Sequence, residues 1–242
     1  MKALEPSNTA VDKKLAEIYY LKNDFSKAAD AYSRFAMGPT ATEEDLVKYA
    51  FALFLNHDFA KSLEVANMGL RKNPRHAAFN RLAMYNYTDL KRFDEAIKAA
   101  DIFFNECDKA DYSYLDYMYY GHLLEDLKKY DDAVVQYEKA VEMDPTKTDL
   151  YKNISAAYEQ KNDYKKAIGA YHKYYSSLDK EKQTPDLQFQ FGRLYYGAGT
   201  QPDSLTITVD ARKQALASAD SVFQAIAVAA PDSYLVISGG HV

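Results

Sequence analysis

A chain of 242 residues, 48% of them hydrophobic, is long enough to bury a large core. Its formal charge of -5 argues against the basic surface that sequence-independent nucleic-acid binding needs, and no apolar run reaches the length of a membrane span. One cysteine, Cys107, rules out an internal disulfide and leaves the redox compartment open.

Along the chain, Phe25, Phe59, Phe93, Tyr130 and Tyr164 each close a short polar turn and are followed three positions later by a small residue. The intervals between them are 34, 34, 37 and 34 residues. A fixed period of this length marks stacked units, none of which buries its apolar face alone. Units are expected to start near Thr9, Glu43, Ala77, Tyr114 and Thr148, each holding a helix A and a helix B. In the fifth, Tyr151, Ile154, Ser155 and Tyr158 precede the turn and Ala167, Tyr171 and Tyr174 follow it, with helical spacing on both sides. A sixth unit is split. Its helix A starts near Pro185 with Phe191, Gly192 and Tyr195, and its helix B carries Ala219, Phe223, Ile226 and Pro231. An insertion, Gly197 to Asp210, lies between the halves.

Local signals agree with these boundaries. Thr9 before Asp12, Thr42 before Asp45 and Thr146 before Asp149 read as caps, and Thr184 before Pro185 places proline at a first helical position. Asn23-Asp24 and Asn162-Asp163 favour chain reversal inside the hairpins.

The order large, apolar, small, aromatic, turn, aromatic, small, aromatic, small, proline resembles the tetratricopeptide repeat family over about residues 9–233. Residues 1–8 and 234–242 are left as tails. The departures are Ser62 and Gly69 for alanines, Met84 at a small-residue position and three extra residues near Asp108. The resemblance implies an all-α, right-handed superhelical stack of antiparallel helix pairs, a non-catalytic scaffold that binds a protein or peptide in its concave groove. The inward positions it implies are Lys13, Glu17 and Tyr20, then Val47, Phe51 and Phe54, then Arg81, Tyr85 and Thr88. Further along come Met118, His122 and Glu125, then Lys152, Ala156 and Glu159, then Phe189, Arg193 and Tyr196. Aromatic residues and arginine concentrate binding energy, which singles out Phe51, Phe54, Arg81 and Tyr85 as a peptide anchor. The competing reading is that these side chains only cover neighbouring helices. Lys13 matches a lysine of the family's carboxylate clamp, but Glu17 stands where the clamp asparagine would be, so no such clamp is expected.

Catalytic and metal chemistry has little support in the residues. His57, His76, His122, His172 and His241 fall in different units with no paired metal spacing, no phosphate-binding glycine loop is present, and Glu106 and Asp108 flank Cys107. No cofactor or metal is expected. The alternatives are a small-molecule or enzymatic groove using Arg81, His122 and Glu125 as anion contact, acid and base, and a structural spacer in a larger assembly. Gly197 and Gly199 read as a helix end entering the inserted loop, whose Leu205 to Val209 has extended character. The last helix pair, through Val222, Ile226 and Val228, is expected to expose apolar surface, consistent with truncation or self-association. Residues 1–8 lack a secretory apolar stretch, so the chain reads as soluble, cytoplasmic or a processed extracytoplasmic form.

Overall fold

The computed structural model describes residues 9–107, 112–201 and 209–229. Among them are twelve α-helices, one short 3-10 turn at Lys180–Lys182 and no strand. The chain divides into two compact units, 1–112 and 113–242, the division falling beside the three extra residues near Asp108. The first holds α1 (Thr9–Leu21), α2 (Phe25–Phe35), α3 (Glu43–Leu55), α4 (Phe59–Lys72), α5 (Ala77–Asp89) and α6 (Phe93–Asn105). The second holds α7 (Tyr114–Asp126), α8 (Tyr130–Met143), α9 (Leu150–Gln160), α10 (Tyr164–Ser176), α11 (Pro185–Thr200) and α12 (Val209–Ala229). Within each unit, helices pack as successive A–B pairs, and each helix B also packs on the next helix A.

Every repeat aromatic is the first residue of a helix B. Two residues ahead of it, Asn23, His57, Lys91, Lys128 and Asn162 have φ between 58° and 60°, the left-handed conformation that ends helix A. The next amide then reaches back five residues: Asp24 N–H to the Tyr19 carbonyl at 2.9 Å, Arg92 to Tyr87 at 2.8 Å, Asp163 to Tyr158 at 2.9 Å. A non-glycine residue in this region costs about 1 kcal/mol. The closing aromatic offsets that cost by folding onto its own helix A, as in the edge contact of Phe25 with Tyr20 at 5.6 Å and the tilted contact of Phe59 with Phe54 at 5.7 Å.

The caps divide into observed and corrected. Thr42 and Asp45 form the reciprocal capping box. Thr146 instead bonds Asp144 through its N–H and hydroxyl, and Asp149, at the helix boundary, makes no side-chain cap. Asp12 accepts from Arg34 on α2 at 2.6 Å. Thr184 precedes Pro185 in extended backbone without a side-chain cap. Asp24, Asp58 and Asp163 supply caps the pattern did not announce, accepting from the amides of Lys27, Lys61 and Lys166.

The sixth pair differs from expectation. Gly197 and Gly199 lie inside α11, which runs to Thr200, because a Cβ at Gly197 would meet the Tyr164 ring at 2.3 Å and one at Gly199 would meet Leu216 at 2.4 Å. Close packing, rather than a loop, uses these glycines. Val209 opens α12, and 205–208 lie outside the described residues. Ile226 is buried, whereas Val228 is 84% exposed.

Tyr32 and Tyr171 sit buried in the two cores, and burial pushes each hydroxyl up to about 12 from an ordinary 10, helped by Glu17 near the first and Tyr174 near the second. The fold favours the neutral phenol, so this stability is complete below pH 10 and is lost as pH rises towards 12. Urea unfolding midpoints measured across that interval are expected to fall, and to fall less steeply in a Tyr32→Phe, Tyr171→Phe variant. An unchanged slope would count against this origin.

Candidate protein-binding grooves

In the first unit, α1, α3 and α5 bring Tyr20, Val47, Phe51, Phe54, Arg81 and Tyr85 into one neighbourhood. Tyr20, Val47, Phe51 and Phe54 are half-buried and packed on the core. Burial raises the Tyr20 hydroxyl pKa, with Lys48 acting in the opposite sense. Tyr85 is only 2% exposed, and its ring lies 5.5 Å from that of Phe54. It therefore cannot serve as an accessible anchor: the third helix A is covered on both sides, and Tyr85 supports Phe54 from beneath. Thr88 is buried likewise, donating to the Met84 carbonyl at 2.8 Å. Arg81 stacks over the Phe103 ring at 5.1 Å.

The acidic and basic residues at the α1 and α3 positions are paired with one another. Lys13 lies 2.7 Å from Asp45, and Lys48 bridges Glu44 at 2.8 Å with Glu17 at 3.9 Å. Burial works to raise the Asp45 pKa, but hydrogen bonds from Lys13 and Thr42 outweigh it and hold the carboxylate below its usual range. The lysine at the clamp position is thus already engaged by an acid.

In the second unit, α7 and α9 build a polar cluster. Tyr137 of α8, fully buried, donates its hydroxyl to Glu125 Oε2 at 2.5 Å. Burial first, and then this bond to Glu125, raise the Tyr137 pKa, so the phenol stays neutral and Glu125 is an acceptor rather than a free base. His122 lies 5.5 Å from the same ring, and its Nε2 is 3.4 Å from Asn153 Nδ2. Asn153 was not among the expected inward residues; its neighbours in sequence hide it, because a polar residue between Lys152 and Ile154 looks like ordinary helix surface. Met118, on α7, is half-buried. On the α11 side, Arg193 bonds Glu159 at 2.8 Å and Gln190 at 3.0 Å, Phe189 packs 5.3 Å from Phe223, and Tyr196 is exposed. Lys152 lies 4.9 Å over the Tyr174 ring, and Ala156 is half-buried.

His122 and Glu125 therefore share Tyr137, while Arg81 belongs to the first unit and is occupied by Phe103. Cys107 is half-buried with the Asn80 amide 3.6 Å from its sulfur. No helix among the described residues is long and apolar enough to cross a membrane.

The sequence at 117–147 matches the tetratricopeptide repeat family. No curated protein matches the chain. Among solved structures, it is similar to the C-terminal part of a TPR repeat-containing protein from Cytophaga hutchinsonii, at 24% identity and a TM-score of 0.60. That match covers 78% of this chain and 66% of the other. It is similar to MamA from Desulfovibrio magneticus RS-1, at 16% identity and a TM-score of 0.61, covering 74% of this chain and 99% of that one. It is also similar to PilW, a widely conserved type IV pilus biogenesis factor, at 14% identity and a TM-score of 0.67, covering 98% and 99%. With its helix pairs and turn geometry, the chain has the fold of the tetratricopeptide-repeat structures it resembles, and residues 117–147 match that family's repeat.

Proposed function

We propose that the chain is a non-catalytic scaffold that binds a protein or peptide along the helix-A faces of its units, with the first unit supplying the anchor. The observation that carries this reading is Phe51 and Phe54, half-buried on one helix, α3, with buried Tyr85 packed against Phe54. A pre-positioned aromatic pair of this kind loses little conformational freedom when a ligand covers it. Val47 and Tyr20 extend the apolar strip, and Arg81 edges it. In the second unit, Met118, His122, Glu125, Phe189, Arg193 and Tyr196 offer a more polar surface for the same ligand class. PilW, named a type IV pilus biogenesis factor, shares this fold and supports an assembly role in outline. Self-association through the α11–α12 end belongs to the same reading, since Val228 and Val209 are exposed there.

The test is a random peptide library displayed on phage, selected against the intact chain. Enriched peptides are expected to bind a Phe51→Ala, Phe54→Ala variant at least about 10-fold more weakly, the loss typical of two anchor residues. The variant should keep its helical circular dichroism. Undiminished binding by that variant would overturn the anchor assignment.

A further inference from the structure

Repeatedly in this chain an aromatic ring and a carboxylate share one of its own cations. Lys27 lies 5.6 Å over the Tyr19 ring and 2.6 Å from Asp24, and Lys166 lies 5.1 Å over Tyr158 and 3.2 Å from Asp163. Arg92 lies 4.8 Å over Tyr87 and 2.6 Å from Glu95, and Lys147 lies 4.7 Å over Tyr114 and 3.9 Å from Asp144. A ring face and an acid attract the same cation, the first through its quadrupole and the second through its charge.

The first groove presents both groups and no cation of its own between them. Glu17 stands one turn before Tyr20 on α1, both at inward positions, and its side chain is 43% exposed. Among the described residues no cation lies over the Tyr20 ring, whose ring contact is with Phe25 at 5.6 Å. The nearby cations are committed elsewhere. Lys13 is held by Asp45 at 2.7 Å, and Arg81 lies over Phe103. Lys48 bonds Glu44 at 2.8 Å, which leaves its ammonium 3.9 Å from Glu17, outside hydrogen-bond reach. Lys14 is exposed, but it occupies the register position of Lys48, whose side chain on α3 reaches back towards α1; by the same register Lys14 faces away from α3.

We propose that the first groove takes a basic peptide: a lysine or arginine of the ligand lies over the Tyr20 ring and pairs with Glu17, while an apolar residue beside it covers Phe51 and Phe54. The proposal rests on the protein-binding reading above and adds the chemistry of the ligand. Tyr20 belongs to the same apolar cluster as Val47, Phe51 and Phe54, so the cation and the apolar residue come from neighbouring positions of one short segment. An acidic segment is disfavoured, because Lys13 and Lys48 would have to leave Asp45 and Glu44 to receive it.

The test uses the peptides selected on phage by the intact chain, resynthesised with each lysine or arginine replaced by glutamine. The parent chain is expected to bind the basic form at least about 5-fold more tightly than the glutamine form, the combined effect of one exposed ion pair and one ring contact. Raising the salt concentration should narrow that ratio. Glu17→Gln, isosteric and half-exposed, should abolish most of it, and Tyr20→Leu, which keeps an apolar side chain without a ring, should reduce it; circular dichroism checks that both are folded. The Phe51→Ala, Phe54→Ala variant should weaken both forms alike and keep the ratio, which separates the cation contact from the apolar anchor. A chain that selects no peptide overturns this proposal together with the reading beneath it. Selected peptides without basic residues, or a preference that survives Glu17→Gln undiminished, overturn this proposal alone.

Discussion

Tyr137→Ala is expected to lower the stability of the second unit by about 3–5 kcal/mol, the range for deleting a fully buried aromatic ring. The ring lies directly against the backbone of Gly121, where a Cβ would meet it at 2.6 Å, so α7 and α8 approach closely at this point and little else can move in to fill the space. Two effects add. Removing the ring leaves a cavity, and removing the hydroxyl strips Glu125 of the donor it now has at 2.5 Å. Tyr137→Phe separates them: it keeps the packing and should cost only about 1.5–3 kcal/mol, the usual loss for one hydrogen bond to a charged group. Urea denaturation of the three proteins measures both quantities. A Tyr137→Ala cost no larger than that of Tyr137→Phe would show that the ring is not what fills the joint.

The second large effect is expected at Gly69, where the sequence pattern calls for alanine. A Cβ there would fall 2.1–2.4 Å from atoms of the Phe79 ring, which is fully buried and has His76 stacked 4.6 Å away. Alanine is the better helix former by about 1 kcal/mol, yet overpacking a closed core costs about 1–3 kcal/mol, and a branched side chain lies at the top of that range. Gly69→Val is therefore expected to be destabilising by about 2 kcal/mol net. Phe79→Leu should relieve part of that loss when combined with it, while being destabilising alone, so the two changes couple with opposite sign in a double-mutant cycle. Additive costs would place the strain elsewhere.

These two sites show what residue order conveys and what it withholds. Gly121 and Tyr137 stand at a small and an aromatic position of the repeat, so their contact is of the kind the period encodes. Gly69 looked like a departure from the pattern, and only the placement of the Phe79 ring shows that glycine is required. Gly197 and Gly199 were misplaced into a loop for the same reason: the ring of Tyr164 and the side chain of Leu216, which make glycine necessary inside α11, come from other helices. The Thr146 cap failed because Asp144, two residues back rather than three ahead, captured its hydroxyl.

The candidate anchor was legible only in part. Spacing put Phe51 and Phe54 together on α3, where the structure leaves them half-buried, but gave Tyr85 the same standing, and the structure buries Tyr85 against Phe54. Asn153, which reaches His122, carried no sequence signal that set it apart.

Residue order alone determined the helix pairs, their helix-B starts at Phe25, Phe59, Phe93, Tyr130 and Tyr164, and the repeat period, because helix hydrogen bonds and turns close within a few residues and each unit repeats the same local solution. Tertiary structure alone decided which aromatic residues are covered, which glycines are obligatory and which lysines are already paired. Each of those depends on atoms brought from another helix, and a spacing rule along one helix holds no information about the height at which its neighbour lies.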